Sequence, residues 1–333
     1  MDNIPFPPSE FSIRHASWKD LQSIVDFLNE TDAYDFGKRN FSADGLAMDW
    51  KQAGFLENST RLVFNEAEEI VGYGEAFHQG NPPLKTIVFG RTHPGYRGQG
   101  IGTYFLVWGE RFALTGIEKC PDSARIFLSA LTVESIEPAR KLFEGFGMQP
   151  VRMYFRMRMD LRHWDQAPAF PAQITIHPYR HDEDLIPLHH AYEDAFENNW
   201  GHPPQSVQQG TKNIRGWVEN NPGFDESLFL VAWDGDEIAG FVLALDGQGD
   251  PDHAEIWELG VRPRWQKRGL GKALVKQCFQ VLKDRGNQSV ILDADADPQE
   301  GPVAFYEKTG MHVETQRLQY EKTLREAPED VNP

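Results

Sequence analysis

The sequence predicts a mixed α/β (α+β) architecture built twice, as two tandem domains, each a mainly antiparallel sheet flanked by helices. Three observations carry this. The chain has 333 residues, more than one ordinary domain of roughly 100–200 residues. The order of strand-like and helix-like segments repeats between its halves. Each half also holds a glycine-rich turn between a strand and an amphipathic helix, at His93–Gly102 and Arg262–Gly271.

The elements pair off in order. Phe11–Arg14 and Ile174–His177 are short β-rich runs, and each leads into a polar helical stretch, near Trp18–Asn29 and Asp182–Phe196. Strand pairs follow, Leu62–Phe64 with Glu69–Phe77 and Leu228–Trp233 with Glu237–Leu245. Asp234-Gly235-Asp236 joins the second pair as a hairpin turn. A further strand near Lys85–Thr92 and Ala254–Arg262 ends before a proline, Pro94 or Pro263. The helices after the turns show apolar residues at helical spacing: Ile101, Tyr104, Phe105, Trp108 and Phe112, then Leu270, Leu274, Cys278, Val281 and Leu282. Arg125–Leu131 and Ser289–Ala294 form another strand in each half, a short helix ends at Gly147-Met148 or Gly310-Met311, and a last strand closes each half. The expected domains are 10–162 and 173–325, joined by a Pro/Ala-rich linker at 163–172.

Composition narrows the function. Against 33 Lys+Arg stand 50 Asp+Glu, a formal net charge of −17. Nucleic acid and anionic membrane both need a positive surface, so neither is expected as a partner. A cationic substrate such as an amine is mildly favoured. No run approaches the ~18 apolar residues of a membrane span, and Met1–Pro5 lacks the basic and apolar regions of a secretory leader. With two cysteines, Cys120 and Cys278, a cytoplasmic, reducing setting is expected. The oligomeric state is left open.

The two turns share the pattern (Q/R)-x-x-G-x-G: Arg97, Gly98, Gln99, Gly100, Ile101, Gly102 and Gln266, Lys267, Arg268, Gly269, Leu270, Gly271. Glycine allows positive φ and close approach of backbone to ligand. The free N–H groups of the helix's first turn, with its dipole, favour an anion such as a pyrophosphate. Lys267, Arg268 and Lys272 add positive charge beside it. A dinucleotide fingerprint would need glycine in place of Phe105. A P-loop would need glycine in place of Gln266, and Ser or Thr in place of Ala273.

This strand–Pro–(Q/R)-x-x-G-x-G–helix block resembles the acetyl-CoA-binding motif of the GNAT acyltransferase superfamily. The following strand, short helix, Tyr306-Glu307-Lys308 and Gly310-Met311 resemble its second motif. The resemblance runs through both halves, from about Phe11 to Leu161 and Ile174 to Leu324, as in tandem members of the mycothiol synthase group. Ala254–Pro263 is close to the strand pattern of that group. It implies acetyl-CoA as co-substrate with no metal, and transfer of acetyl to the amine of a small molecule.

Such transfer needs a neutral amine, donors to the oxyanion and a proton for the departing thiolate. The resemblance implies that Glu255, eight residues before Pro263, is the general base, acting directly or through a water, and that Tyr306 protonates the sulfur. The backbone around Leu259–Val261 would bind pantetheine and the thioester carbonyl. Glu258 is the rival base, and strand alternation sets it on the face opposite Glu255. In the first half Thr86 and Phe143 stand at the positions of Glu255 and Tyr306. That domain is therefore expected to be catalytically degenerate, though its Arg97, Gly98, Gln99, Gly100 and Gly102 could still bind the coenzyme. Gln299 and Pro302 depart from the superfamily's usual Asn and Ala.

Other signals are plainer. Asp293, Asp295 and Asp297 share a strand face. They fail as a calcium loop because Pro298 and Ala304 replace the required Gly and Glu. They either cap or solvate the strand end or steer an amine. His189-His190 has no ligand partners at metal spacing. Cys278 lies on its helix's apolar stripe. Trp217 and the aromatics from Phe224 to Trp233 are expected in the core, with Trp200 and the loop to Pro204 near an acceptor pocket. Two alternatives stay open, a protein or peptide N-acetyltransferase and a non-catalytic coenzyme sensor. Glu255 and Tyr306 argue against the latter.

Overall fold

The computed structural model describes residues 10–51, 55–197, 204–220, 224–246, 254–295 and 301–327. In chain order the strands and α-helices are β1 (Ser12–Arg14), α1 (Leu21–Phe36), α2 (Ala43–Trp50), α3 (Phe55–Ser59), β2 (Thr60–Phe64), β3 (Ile70–Gln79), β4 (Lys85–Thr92), α4 (Ile101–Leu114), β5 (Ile126–Val133), α5 (Glu137–Gly145) and β6 (Gln149–Asp160). There follow β7 (Ile174–Pro178), α6 (His181–Phe196), α7 (Val207–Asn220), β8 (Phe229–Asp234), β9 (Glu237–Leu245), β10 (Ala254–Val261), α8 (Leu270–Asp284), β11 (Ser289–Asp295), α9 (Pro302–Glu307) and β12 (His312–Arg325). No described helix is long and apolar enough to cross a membrane.

The chain forms two compact units, Met1–Met153 with Arg317–Pro333, and Tyr154–Gln316. These differ from the consecutive halves read from the sequence in one respect: the last strands are exchanged. In the first unit β1-β2-β3-β4-β5 is completed by β12, whose Arg317–Arg325 runs antiparallel to Ile126–Val133. In the second unit β7-β8-β9-β10-β11 is completed by β6, with Tyr154–Asp160 antiparallel to Ser289–Asp295. Sequence pattern fixes which face of a strand is apolar but not which edge it joins, so the closing strand of each half was assigned to the wrong sheet.

Apart from these exchanges the two units are built alike. β4–β5 and β10–β11 are parallel and every other adjacent pair within a unit is antiparallel. One face of the first sheet packs α4 through Tyr104, Phe105 and Trp108. The other packs α1–α3 through Ile24, Leu28 and Trp50 against Leu62 and Tyr73. In the second unit α8 packs Leu270, Leu274, Cys278 and Leu282 onto Val242, Ala244, Val290 and Leu292. The opposite face carries Phe229, Val231, Phe241 and Leu243 under α6 and α7. The apolar spacing of α8 thus does what its sequence implies, burying one stripe on one sheet face.

Two features depart from the sequence reading. The segment 163–172 is not a free linker: Trp164 is only 2% exposed and meets Phe279 edge-on at 5.2 Å, and Phe170 packs on the same core. Helices α2, α3 and α7 were also unread. α7 presents Ile214, Trp217 and Val218 to the core and lies close on α6, because a Cβ at Gly210 would come within 2.2 Å of His189 Nδ1.

Candidate active site

The two glycine-rich turns have one backbone design. After a 3₁₀ turn at Pro94–Tyr96 or Pro263–Trp265, the next residue is extended, Arg97 at φ −67°, ψ 151° and Gln266 at φ −65°, ψ 159°. Gly98 (φ 79°) and Lys267 (φ 59°) then take the left-handed region, and so do the helix N-caps, Gly100 (φ 86°) and Gly269 (φ 87°). Neither N-cap supplies a side-chain hydrogen bond to its helix, so the first-turn N–H groups are left to a ligand or water. Alternating left-handed residues turn successive N–H groups into one concavity that suits an anion. Lys267 adopts a conformation that costs a non-glycine residue about 1–2 kcal/mol. That strain sits in the copy of the turn that also carries Arg268 and Lys272.

The second turn is anchored from below. Trp265 is buried, its Nε1 donates to Asp234 Oδ2 at 2.8 Å, and Arg262 and Arg264 stack on its ring. Gln266 Nε2 donates to the Val261 carbonyl at 2.9 Å, which ties the turn to the end of β10. At Gly271 an added Cβ would lie 3.3 Å from Phe305, so α8 and α9 approach closely there. In the first turn the Arg97 guanidinium is held by Asp35 in a bidentate pair at 3.0 and 2.7 Å. Its side chain is thereby committed within the protein.

In both units the parallel strands separate. The β10–β11 register covers Ala254–Glu255 against Val290–Ile291, and the β4–β5 register covers Lys85–Ile87 against Phe127–Ser129. Beyond these residues β10 and β4 leave their parallel neighbours. The Val261 carbonyl points to the open side, where Gln266 reaches it. Leu259, two residues earlier, directs its backbone groups the same way.

One feature of β10 corrects the sequence reading. Against β9, Ile256 pairs with Ala244 and Glu258 with Leu243, leaving Trp257 as an extra residue in a β-bulge. Strict alternation is broken. Glu255 opposite Leu245 and Glu258 opposite Leu243 therefore lie on the same face, the one covered by α6 and α7, rather than on opposite faces. β4 has no such shift against β3. Thr86 there is buried and paired with His78, its Oγ1 2.9 Å from the ring Nδ1.

On that face Glu258 accepts a hydrogen bond from Tyr192 Oη at 2.8 Å, and the Tyr192 ring stacks on Phe241. Burial pushes the Glu258 carboxyl up to about 7, with the Tyr192 bond opposing the shift. Nearby, Arg156 of β6 pairs bidentately with Asp293 at 2.9 and 2.8 Å. Burial works against the Arg156 charge, but Asp293, Glu255 and Glu314 outweigh it and keep the guanidinium charged. Asp293 is thus an ion-pair partner rather than a free strand-end charge, while Asp297 and Gln299 lie outside the described residues. Tyr192 and Arg156 were missed by sequence reasoning, since neither stands in a motif.

Tyr306, on α9, packs with Phe305 against the α8 side of the core. Burial pushes its phenol up to about 12, so it holds its proton at neutral pH. Phe143, at the matching place in the first unit, packs on Tyr320 with ring centroids 5.3 Å apart. Cys278 is buried with its thiol pushed up to about 12, which leaves it inert. His189 and His190 meet only in a ring contact, and among the described residues no group of three His, Cys, Asp or Glu could hold a metal ion. Trp200 lies outside the described residues.

Comparison with known proteins agrees with this geometry. The profile of the Acetyltransferase (GNAT) family matches residues 21–148 and 185–311, once in each copy of the repeat. A mycothiol acetyltransferase of Renibacterium salmoninarum is 30% identical over 241 residues, covering 70% of this chain and just under two thirds (66%) of that protein. One from Streptomyces scabiei is 28% identical over 272 residues, 81% of this chain and 82% of the other. Among solved structures, a GCN5-related N-acetyltransferase from Sphaerobacter thermophilus aligns over 97% of this chain and 98% of its own, with TM-score 0.84 and 26% identity. A tandem GNAT protein from the clavulanic acid biosynthesis pathway has the same fold at TM-score 0.70 and 15% identity, over 94% of this chain and 98% of its own. With the family profile falling on both copies of the strand, turn and helix described above, the chain belongs to the GNAT acetyltransferase family and is an N-acetyltransferase.

Proposed function

We propose that the second unit transfers acetyl from acetyl-CoA to the amine of a small molecule, and that the first unit has lost this chemistry. One observation carries the proposal. Besides its cradle turn, the second unit has two carboxylates on the α6/α7 face of the splayed strand and a protonated phenol on α9, whereas the first unit has Thr86, Phe89 and Phe143 at the corresponding positions. The mycothiol acetyltransferase relatives support a small-molecule acceptor over a protein one.

In this reading the N–H groups from Lys267 to Lys272 and the side chains of Lys267, Arg268 and Lys272 hold the pyrophosphate. The geometry of the turn suits that group, because its left-handed residues gather N–H donors and its helix end has no side-chain cap. The open backbone of Leu259 and Val261 aligns the pantetheine arm and donates to the thioester carbonyl. Glu255 removes a proton from the ammonium, directly or through one water, and the freed nitrogen attacks the thioester carbon. As the C–S bond breaks, Tyr306 gives its proton to the sulfur and the attacking nitrogen loses its second proton, which returns the Tyr306 phenolate to a phenol; the products are a neutral amide and free thiol, with the first proton left on Glu255.

A second reading of the base is favoured by one observation: the Glu258 carboxyl, at about 7, is poised where a general base works best. The test is thiol release from acetyl-CoA over a panel of small amines. The double variant Glu255→Gln, Tyr306→Phe is expected to be inactive with coenzyme binding retained. Substantial turnover in that variant would move the chemistry elsewhere.

A further inference from the structure

Within β10 a single residue, Trp257, is exposed, at 51%. It stands at the bulge, flanked in sequence by Ile256 and Glu258, and its ring meets that of Trp217 on α7 at 5.7 Å and 40°. Trp217 is itself fixed edge-on by Phe224 at 5.6 Å. Trp217 belongs to the helix pair that covers the Phe241 and Leu243 face of the sheet, so the indole of Trp257 stands on the face that carries Glu258 and Glu255. With Trp217 against it, Trp257 forms a pair of indoles rather than a lone exposed ring, and paired exposed aromatics mark a binding surface more than a single one does. Two carboxylates beside two indoles make a surface complementary to a cation with a flat apolar body. The carboxylates match the ammonium, and the indole faces attract both ring faces and positive charge.

We propose that Trp257, backed by Trp217, is the specificity wall of the acceptor pocket and selects amines carried on a ring, whose flat face lies against the indole while the ammonium reaches Glu255 and Glu258. The inference rests on the assignment of acceptor chemistry to this face of β10. The bulge serves both ends at once: it brings the two carboxylates to one side and turns the tryptophan out beside them. Ring-bodied amines of two kinds share this chemistry, arylalkylamines and amino sugars.

The experiment measures kcat/KM of the full chain with tyramine, glucosamine and the linear diamine putrescine, in the native protein and in Trp257→Ala, Trp257→Leu and Trp257→Phe. The native protein is expected to prefer at least one ring-bodied amine to putrescine. That preference should fall about tenfold in the Ala and Leu variants, mainly through KM, and return largely in the Phe variant. Whether tyramine or glucosamine shows the effect tells the aromatic source from the sugar source. Equal losses on ring and linear amines, or an unchanged preference in Trp257→Leu, would overturn the wall. Glu255→Gln and Glu258→Gln separate the two levels. If both retain full turnover the site assignment itself fails, and if either is inactive while Trp257→Leu keeps the preference, only the wall fails.

Discussion

Glu255 and Glu258 lie on one face of β10 because Trp257 is inserted between them as a bulge, so a spacing that would oppose them in a regular strand brings them together. Each carboxylate then has its own environment. Glu258 is buried against Tyr192, whereas Glu255 shares the field of Arg156 with Asp293 and Glu314.

The division of labour between them is separable. Glu255→Gln is expected to lower kcat by about 10²–10⁴-fold if it is the base, with the KM for acetyl-CoA little changed. Glu258→Gln is expected to cost less and to act on acceptor KM. Steady-state kinetics on both variants decides, and the opposite ranking would make Glu258 the base.

The raised Glu258 carboxyl also sets a stability trend. Its native pKa of about 7 exceeds the ordinary 4.5, so the folded state holds this proton more tightly than the unfolded one. The group's contribution is fully favourable below about pH 4.5 and is lost as pH rises to about 7. Glu258→Gln lacks this titration. Its stability relative to the native protein should rise across that window by up to roughly 3 kcal/mol, read from urea midpoints at pH 5 and 8.

Lys267 offers two effects of opposite sign. Lys267→Gly should stabilise the fold by about 1 kcal/mol by relieving the left-handed backbone at φ 59°. It should also weaken acetyl-CoA binding through loss of charge at the pyrophosphate. A higher melting temperature with a higher Kd by calorimetry is the expected pair.

The exchanged strands predict a displaced effect. Tyr320 belongs to the second half of the sequence, yet it is 1% exposed in the first unit, packed on Phe143 and bonded to Glu144 at 3.0 Å. Tyr320→Ala should cost about 3 kcal/mol or more. Hydrogen exchange should speed up in β3–β5 and α4, with β9–β11 protected as before.

Much of this was legible from residues alone, and the failures have physical reasons. The glycines at 98, 100 and 269 announced positive φ, and the structure has it at each. The apolar stripes of α4 and α8 fixed which faces are buried. The bulge was invisible because Ile256-Trp257-Glu258 contains no glycine or other local marker, and the reading that opposed Glu255 to Glu258 followed. The Arg97–Asp35 pair spans 62 positions, and Tyr192 reaches Glu258 across 66; no local pattern records either. The strand exchange was hidden for a different reason, since β6 and β12 read the same whichever sheet receives them.

That exchange has a consequence for how the protein is made. The edge of β5 is covered by a strand that ends at Arg325, so during synthesis the first unit emerges from the ribosome one strand short. It must wait for some 170 further residues before its sheet can close. The second unit already has β6 when β11 arrives, and can finish first. The half that is made first is therefore the half that is completed last, with an open edge to protect in the interval.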